Sequence, residues 1–582
     1  MARAEYPLPA QQNPDAARKA TGFVTPKEDQ KPQCARMLPK RVLPVIFLPG
    51  IMGSNLRMSE QRRKELNKED NIAWRPDSLS ASNIKRSAGS SPRERQLQLD
   101  PLQTVVDMYD PSGFPQISGD IRHNNVKLAE SFRSPTLADD PPTAKCARSA
   151  VQKARARGWG EVYFKSYGRL LQHMESRLNN TFSQGMLRQE WRDVVGVDPK
   201  LWQSEQSLPQ KPLLEDELKS VVDGCWFPVF AFGYNWLQSN GDSAKIIAER
   251  INKVIEEFSQ SGYECNQVIV VTHSMGGLVG RALIHPAYGN LQDRVLGIVH
   301  GVMPAIGAPA AYKRMRAGFE DRGILLDGEA SLGAKVAGNF GDEVTAVLAN
   351  AQGGLQLLPT EAYGNGWLRV MHSGRVLEAW PKHGDPYSEI YAVVGKWYSL
   401  FREEWINPSG EPARNGGGTL ARTLNYLERV KHFHRMIVDT YHSNSYGHYG
   451  ADSRRQSYTE VTWEINNSCA DPTGWMEWPI LSDTRRGTVE LVRWDALKTA
   501  RAFQPYADEM PSPICATILP PAGLGDQTVP AKSADHQLKS GKFRGIFRQT
   551  GYEHQSSYQH SNAIAATLYS IVRIAQHGRW KC

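Results

Sequence analysis

The segment Val268–Gly277, VIVVTHSMGG, decides the fold. Its apolar, β-branched run VIVV at 268–271 predicts a buried strand, and the helix-like segment GGLVGRALI begins two residues after the serine. A sharp strand-to-helix turn with small neighbours exposes a serine hydroxyl, so this pattern predicts a nucleophile elbow with Ser274 as the nucleophile. Thr272 replaces the first glycine of the common elbow motif, whereas Gly276 supplies the second.

Four of the other S-x-G triplets in the chain serve as internal controls, namely those that begin at Ser87, Ser183, Ser331 and Ser445. None of them follows a run of β-branched residues and opens an apolar helix. Only Ser274 therefore has the structural context that the chemistry requires. The alternative interpretation of the elbow is a glycine-rich turn without catalysis.

Apolar runs on both sides of the elbow extend the pattern. Isoleucine, valine and phenylalanine residues between Ile246 and Phe258 form a helical stripe, with Asp242 as the predicted N-cap. Further strands are predicted at Val42–Leu48, Trp226–Gly233, Val295–Val302, Glu389–Val394 and Phe543–Phe547, and a closing helix at Ala563–Ala575. Alternation of strands and helices predicts a parallel sheet that is covered on both faces.

The predicted fold class is therefore α/β, namely an α/β-hydrolase fold with a mostly parallel central sheet and large cap and lid insertions. Residues 1–40 are predicted to be an N-terminal arm because they are polar and rich in proline, glutamine and lysine. The predicted core comprises residues 41–58, 221–309, 386–397 and 516–582. Residues 59–220 are the predicted cap insertion, and residues 310–385 and 398–515 are the predicted lid or cap insertions.

An oxyanion hole needs two main-chain N–H groups, one after the nucleophile and one after an earlier strand. Met275 supplies the first. The segment Leu48–Ser54, LPGIMGS, ends the first strand with two glycines that let the backbone approach the reacting carbon. We predict Ile51 as the second donor, with Met52 as the alternative.

The acid and the base are expected in the order serine, acid, histidine. Asp526 lies in the turn-forming segment Gly525–Pro530, GDQTVP, and is the predicted acid. His554 follows the last predicted strand directly and is the predicted base, whereas His560, six positions later, is the alternative. His536 and His577 lie before that strand and after the last helix, where neither suits the role.

Composition excludes several other classes of protein. The 69 Lys and Arg residues nearly balance 61 Asp and Glu, and no basic block stands apart, so nucleic-acid binding is not indicated. The mild basic excess is compatible with peripheral contact with an anionic lipid surface. No apolar run resembles a signal peptide or approaches the ~20 residues of a membrane span, so we expect a soluble chain exported without an N-terminal signal.

No cofactor or metal is predicted. Seven scattered cysteines, none spaced as C-x-x-C, define neither a disulfide framework nor a zinc site, although one or two bridges remain open. The polar cluster between His432 and His448 fits no standard ligand pattern, and a polar surface helix is the preferred interpretation.

Several segments together resemble a known family. They are Pro44–Ser54 (PVIFLPGIMGS), Gly233–Trp236 (GYNW), Thr272–Leu283 (THSMGGLVGRAL), Gly297–Ala311 (GIVHGVMPAIGAPAA) and Gly525–Pro530 (GDQTVP). The chain resembles lipases related to inositol deacylase and lecithin-cholesterol acyltransferase. More narrowly, it resembles bacterial type VI secretion lipase effectors of the inositol-deacylase-like group.

The resemblance implies a serine lipase or phospholipase that hydrolyses acyl esters of membrane phospholipids, an antibacterial toxin delivered to the periplasm of target cells. It also supports Ser274, Asp526, His554, Ile51 and Met275 in the roles given above. The expected partners are a cognate immunity protein and a spike component of the type VI system. A lipid acyltransferase and a non-catalytic lipid-binding protein on a hydrolase scaffold are the alternative functions.

Overall fold

The computed structural model describes residues 39–76, 89–113, 117–143, 146–320, 336–411, 420–466, 471–493 and 514–578, together with the backbone of three short strands near the N-terminus. Those three strands, within the predicted arm, form an antiparallel sheet at Ala10–Gln12, Arg18–Phe23 and Pro32–Met37.

A six-stranded, wholly parallel sheet forms the centre of the molecule. In chain order its strands are β1 (Val45–Leu48), β2 (Val229–Ala231), β3 (Val268–His273), β4 (Val295–Gly301), β5 (Ser445–Gly450) and β6 (Phe543–Gln549). The spatial order is β2, β1, β3, β4, β5, β6. Strands β1, β3 and β4 are buried along their whole length, as expected of strands covered on both faces.

Five long helices cover the two faces of this sheet. They are α1 (Phe164–Asn179), α2 (Asn240–Gln260), α3 (Gly276–Ile284), α4 (Leu420–Ile437) and α5 (Ser561–Ala575). Helices α1 and α5 pack on one face, and helices α2, α3 and α4 pack on the other. The chain is thus an α/β protein with three layers.

The helical stripe predicted around α2 lies where expected, but the helix begins earlier. Ser239, not Asp242, is the N-cap, because its side chain accepts a hydrogen bond from the Gly241 N–H. Ile247, Ile251 and other members of the stripe are buried, whereas Ile246 is exposed on the solvent side of the helix.

The structure differs from the predicted division of the chain in three places. Glu389–Val394 forms no strand: Tyr387–Tyr391 is a turn of π-helix, so residues 386–397 do not enter the central sheet. Conversely, β5 and α4 belong to the core, although they fall within the predicted insertion 398–515. The predicted cap 59–220 also contributes α1 to one face of the core.

Two smaller sheets lie outside the central one. One is antiparallel and consists of Leu56–Met58, Ile72–Trp74 and Thr104–Val106. The other has six strands, in the spatial order Arg375–Trp380, Leu368–His372, Val461–Ile465, Ile514–Ile518, Thr488–Leu491 and Ile480–Asp483. Shorter strand pairs join Arg41–Val42 to Cys225–Trp226, Phe182–Ser183 to Met186–Leu187, and Asp452–Ser457 to Gly523–Gly525.

The remaining helical elements are short. The α-helical ones are Glu60–Glu65, Pro92–Gln98, Gly119–Arg122, Ala150–Ala156, Glu215–Val222, Ala310–Ala317, Gly341–Leu348, Gln352–Leu355, Glu403–Ile406, Ala531–Ala534 and His536–Lys539. The 3₁₀ turns are Pro135–Leu137, Trp159–Glu161, Gln189–Trp191, Pro199–Trp202, Glu361–Tyr363, Trp475–Glu477 and Ser557–Gln559.

Among the residues with defined placement, no helix combines the length and the apolar character that crossing a bilayer requires. Cys146, Cys225, Cys265 and Cys515 are free thiols. The side chains of Cys34, Cys469 and Cys582 are not among those that the structure describes. Two serines of the control S-x-G triplets, Ser87 and Ser331, also lie outside the described residues.

Candidate active site

Ser274 occupies the turn between β3, which ends at His273, and α3, which begins at Gly276. Its φ angle of 52° lies in the left-handed region that residues other than glycine rarely adopt. The Ser274 N–H donates to the main-chain oxygen of Gly301 at 2.8 Å, which ties the turn to β4. A β-carbon added to Gly276 would lie only 2.5 Å from the main-chain oxygen of Pro49, so glycine is required there.

The structure brings Ser274, His554 and Asp526 into one hydrogen-bonded row. The Nε2 atom of His554 lies 2.8 Å from the Ser274 Oγ atom, and its Nδ1 atom lies 2.9 Å from Asp526 Oδ2. All three side chains are buried, with Ser274 only 4% exposed. With Nδ1–H donating to the carboxylate, Nε2 is left to accept the serine proton.

Asp526 is held by the loop that carries it and by the end of the sheet. Its Oδ1 atom accepts the N–H groups of Thr528 and Val529, at 3.1 and 2.7 Å, which leaves Oδ2 for His554. Its own N–H donates to Ser457 Oγ at 3.1 Å. A β-carbon on Gly450, the last residue of β5, would lie 2.7 Å from the Asp526 Cβ atom. Asp526 is therefore packed against the carboxyl end of β5.

His554 lies on the loop that follows β6, and its N–H donates to the main-chain oxygen of Asp526 at 2.9 Å. The alternative base, His560, lies elsewhere: its ring packs on Tyr552, with centroids 5.5 Å apart, and its Nε2 atom lies beside Gly551. No hydrogen bond joins His560 to Ser274 in the described structure. The geometry thus separates the two candidates for the base.

The loop after β1 lies directly against the elbow. A β-carbon on Gly50 would lie 2.9 Å from both Ser274 Cβ and His273 Nδ1. The N–H groups of Ile51, Met52 and Met275 donate to no other residue in the part of the chain that the structure describes. Met52 has a φ angle of 58°, and its main-chain oxygen accepts from Trp74 Nε1 at 2.7 Å. These N–H groups are free to bind an oxyanion.

Two residues of the candidate site were not predicted from the sequence, Tyr167 on α1 and His273 next to Ser274. The Tyr167 hydroxyl lies 3.1 Å from His273 Nδ1, and His273 Nε2 lies 3.0 Å from the main-chain oxygen of His554. Burial raises the pKa of Tyr167 to about 12 and holds the pKa of His273 well below its usual range. No local pattern in the polar segment 59–220 marks Tyr167.

Two further tyrosines brace the same loops. Tyr234, in the GYNW segment, donates its hydroxyl to the Pro49 main-chain oxygen at 2.8 Å. Tyr558 donates to the Thr272 main-chain oxygen, also at 2.8 Å. Both rings are buried, so hydroxyls inside the core fix the strand ends that carry the elbow and the glycine loop.

The histidine cluster between 432 and 448 does not form a metal site. The interpretation of this cluster as a polar surface helix is wrong, because His434 is buried on α4 and His448 is buried within β5. His434 Nε2 donates to the Gln356 main-chain oxygen at 2.9 Å, a structural role. Across the described residues, no group of three or more His, Cys, Asp or Glu side chains could hold a metal ion.

Comparisons with known proteins agree with this architecture. The family model described as lecithin:cholesterol acyltransferase matches residues 227–355, which include the elbow. The structure is similar to a solved one described as the crystal structure of the Tle4–Tli4 complex, with a TM-score of 0.71 and 30% sequence identity. That similarity covers 93% of this chain and 99% of the other chain. No curated protein matches.

The parallel sheet, the strained elbow and the family match define a hydrolase of the α/β-hydrolase fold that acts on acyl esters. Identity of 30% over nearly the whole of both chains shows the family. The chain belongs to the Tle4 family of type VI secretion phospholipase effectors, which are α/β-hydrolases similar to lecithin-cholesterol acyltransferase. As an effector it is secreted into target cells.

Proposed function

We propose that Ser274 is the nucleophile that cleaves the acyl ester of a membrane phospholipid, with His554 as the general base and Asp526 as the acid that orients it. The observation that carries this proposal is the row of two hydrogen bonds, 2.8 and 2.9 Å, through the His554 ring. A serine hydroxyl is a weak nucleophile at neutral pH, and such a row activates it.

In the proposed reaction, His554 Nε2 takes the Ser274 proton as Oγ attacks the acyl carbon. The carbonyl oxygen becomes an oxyanion that the N–H groups of Ile51 and Met275 bind, with Met52 as the alternative to Ile51. His554 then protonates the departing lysophospholipid oxygen, and the acyl group stays on Ser274. A water molecule activated by the same imidazole releases the fatty acid and restores the serine.

The site is enclosed, and this supports a moving cover. Ser274 and His554 are only 4% and 6% exposed, so a lipid tail needs an opening to reach them. We propose that the parts of the insertions 59–220, 310–385 and 398–515 that lie outside α1, α4 and β5 supply this cover, and that it opens in peripheral contact with a lipid surface. Turnover of a short-chain ester should then rise sharply above its critical micelle concentration. A rate that stays proportional to monomer concentration through that point would contradict the cover.

We also propose a cognate immunity protein and a type VI spike component as partners, with delivery to the periplasm. The solved relative is a complex of Tle4 with Tli4, which supports a protein partner for this chain as well. The test directs the wild type, or its Ser274→Ala variant, to the periplasm or to the cytoplasm of a susceptible bacterium. Growth arrest is expected only for the wild type in the periplasm. Equal arrest by the alanine variant would contradict an enzymatic toxin.

The decisive experiment is mass spectrometry of defined phospholipids after incubation with wild type, Ser274→Ala and Ser183→Ala. Ser183 belongs to a control S-x-G triplet on a short hairpin strand, so its variant should keep wild-type turnover. Ser274→Ala should lower hydrolysis by roughly 10⁴ to 10⁶. A folded Ser274→Ala with wild-type turnover would refute the assignment. If an alcohol is added and the fatty acid is recovered as its ester with that alcohol, the protein is an acyltransferase.

A further inference from the structure

The nucleophile, the base and the glycine loop lie on separate segments of the chain, yet one buried side chain contacts all three segments. This side chain is Tyr167, on helix α1 of the polar insertion. It is fully buried, and its ring packs on Phe47 and His273, with centroid distances of 4.9 and 5.2 Å. The ring is thus fixed by β1 and by the residue next to the nucleophile.

The direction of each hydrogen bond around Tyr167 follows from the chemistry of the atoms. A main-chain oxygen only accepts, so His273 Nε2 carries the proton that it donates to the His554 oxygen at 3.0 Å. Burial keeps His273 neutral, as its lowered pKa indicates, and Nδ1 therefore has a free lone pair. The Tyr167 hydroxyl, 3.1 Å away, donates to that lone pair.

The lone pairs of the same hydroxyl accept two further hydrogen bonds. The Gly50 N–H donates at 3.3 Å, and Gln555 Nε2 donates at 3.4 Å. Gly50 directly precedes Ile51, the proposed oxyanion donor, and Gln555 directly follows His554, the proposed base. A single hydroxyl therefore connects the glycine loop with the base loop, directly at Gln555 and through His273 at the main-chain oxygen of His554.

We propose that Tyr167 and His273 are positioning residues, which hold the oxyanion loop and the base loop at a fixed distance from Ser274. This inference rests on the proposed function of Ser274. Both side chains act through other residues, because Tyr167 reaches the loops through Gly50, Gln555 and His273. Misplacing a reacting group by about 1 Å can cost 10²-fold in rate, so a rigid link of this kind affects turnover rather than substrate binding.

The test is Tyr167→Phe, which keeps the ring and removes the hydroxyl. We expect kcat to fall by about 10- to 100-fold while KM stays within about twofold. The rate of labelling of Ser274 by a fluorophosphonate should fall by a similar factor. The matched control is Tyr391→Phe: Tyr391 is also fully buried and donates its hydroxyl to the Pro359 main-chain oxygen. That control should lose comparable thermal stability and keep wild-type kcat.

A second pair of variants keeps the inference testable if Tyr167→Phe folds poorly. His273→Ala breaks the link to His554 while leaving Gly50 and Gln555 on Tyr167. We expect His273→Ala to lower kcat as Tyr167→Phe does. The kcat of the double variant should be no lower than that of the more damaging single variant, because both residues act through one chain of hydrogen bonds. Additive losses in the double variant would contradict this chain.

The outcomes separate the two proposals. A folded Tyr167→Phe with wild-type kcat, in a protein whose Ser274 is labelled normally, would overturn the positioning role and leave the nucleophile in place. An equal fall of kcat in Tyr391→Phe would also overturn it, since the loss would then reflect stability alone. A wild-type protein that neither reacts with the probe nor hydrolyses phospholipid would overturn both.

Discussion

Asp526 and His554 are joined twice, once through the main chain and once through their side chains. The His554 N–H donates to the Asp526 main-chain oxygen at 2.9 Å, and His554 Nδ1 lies 2.9 Å from Asp526 Oδ2. The main-chain bond fixes the distance between the two loops independently of the carboxylate. The orienting role of the carboxylate can therefore be tested without releasing the base loop.

Asp526→Asn should lower kcat by roughly 10⁴-fold with little change in KM or thermal stability, because an amide no longer selects the tautomer of His554 that accepts the serine proton. The measurement is steady-state hydrolysis of a phospholipid beside a thermal melt. Asp535→Asn is the control: Asp535 accepts from the Tyr449 hydroxyl at 2.7 Å, outside the row. A loss below tenfold in Asp526→Asn would contradict the role given to the acid.

The two late histidines should differ sharply. His554→Ala should lose activity by roughly 10⁴- to 10⁶-fold, because Ser274 then has no base. His560→Ala should keep activity within about threefold, because its ring packs on Tyr552 and not on Ser274. Fluorophosphonate labelling of both variants, followed over time, measures the reactivity of the serine. If labelling were lost in His560→Ala and kept in His554→Ala, His560 and not His554 would be the base.

Gly50→Ala should abolish turnover while the protein still folds. The added methyl would lie 2.9 Å from Ser274 Cβ and from His273 Nδ1, so the oxyanion loop must move away from the nucleophile. We expect kcat to fall at least 100-fold, as measured on a short-chain ester. Gly280→Ala is the comparison, because its nearest contact, at 3.1 Å, is the Thr272 Cγ2 atom of a side chain. Equal kcat values for Gly50→Ala and Gly280→Ala would show that turnover does not require the close contact between the loop after β1 and the elbow.

The protein should lose stability as the pH falls below about 6.5, partly because of His448. This side chain is buried in β5, neither ring nitrogen has a partner among the described residues, and burial lowers its pKa from 6.5 to about 3. Between those values the unfolded chain binds the proton and the folded chain does not, so acid favours unfolding. The contribution is roughly 1.4 kcal/mol per pH unit.

Replacing this histidine tests the sign of the effect. His448→Leu should flatten the dependence of unfolding free energy on pH between about 6.5 and 4, with little change at pH 8. The measurement is urea unfolding at several pH values. His383→Leu removes an exposed histidine and should leave the slope unchanged. A slope that is identical in wild type and His448→Leu would show that His448 is not part of the acid sensitivity.

Local patterns were sufficient for much of the site. The β-branched run before Ser274, the glycines after it and the turn-forming segment around Asp526 are each required by the local backbone, so each is visible in the sequence. The sequence distinguishes His554 from His560 less clearly, because both residues lie in the segment between β6 and α5. Only the packing of that loop after β6 brings His554 to 2.8 Å from Ser274 Oγ.

Elsewhere local patterns misled. Strand β5, SYGHYG, has no β-branched residue, and its last glycine is selected by close packing rather than by β propensity: a β-carbon on Gly450 would lie 2.7 Å from Asp526 Cβ. The apolar run at Glu389–Val394 suggested a strand, but short apolar runs do not distinguish strand from helix. There the hydroxyls of Tyr387 and Tyr391 bond to His434 and to Pro359.

By itself the sequence determined the elbow, the buried strands next to it and the turn around Asp526, because each of these depends on residues that are neighbours along the chain. Tertiary structure alone decided which histidine meets the serine, that β5 lies in the sheet, and that Tyr167 reaches from the insertion to Gly50 and His273. Those relations join residues more than 100 positions apart. Packing in three dimensions determines which residues meet in these contacts, and it produces no periodic pattern in the sequence.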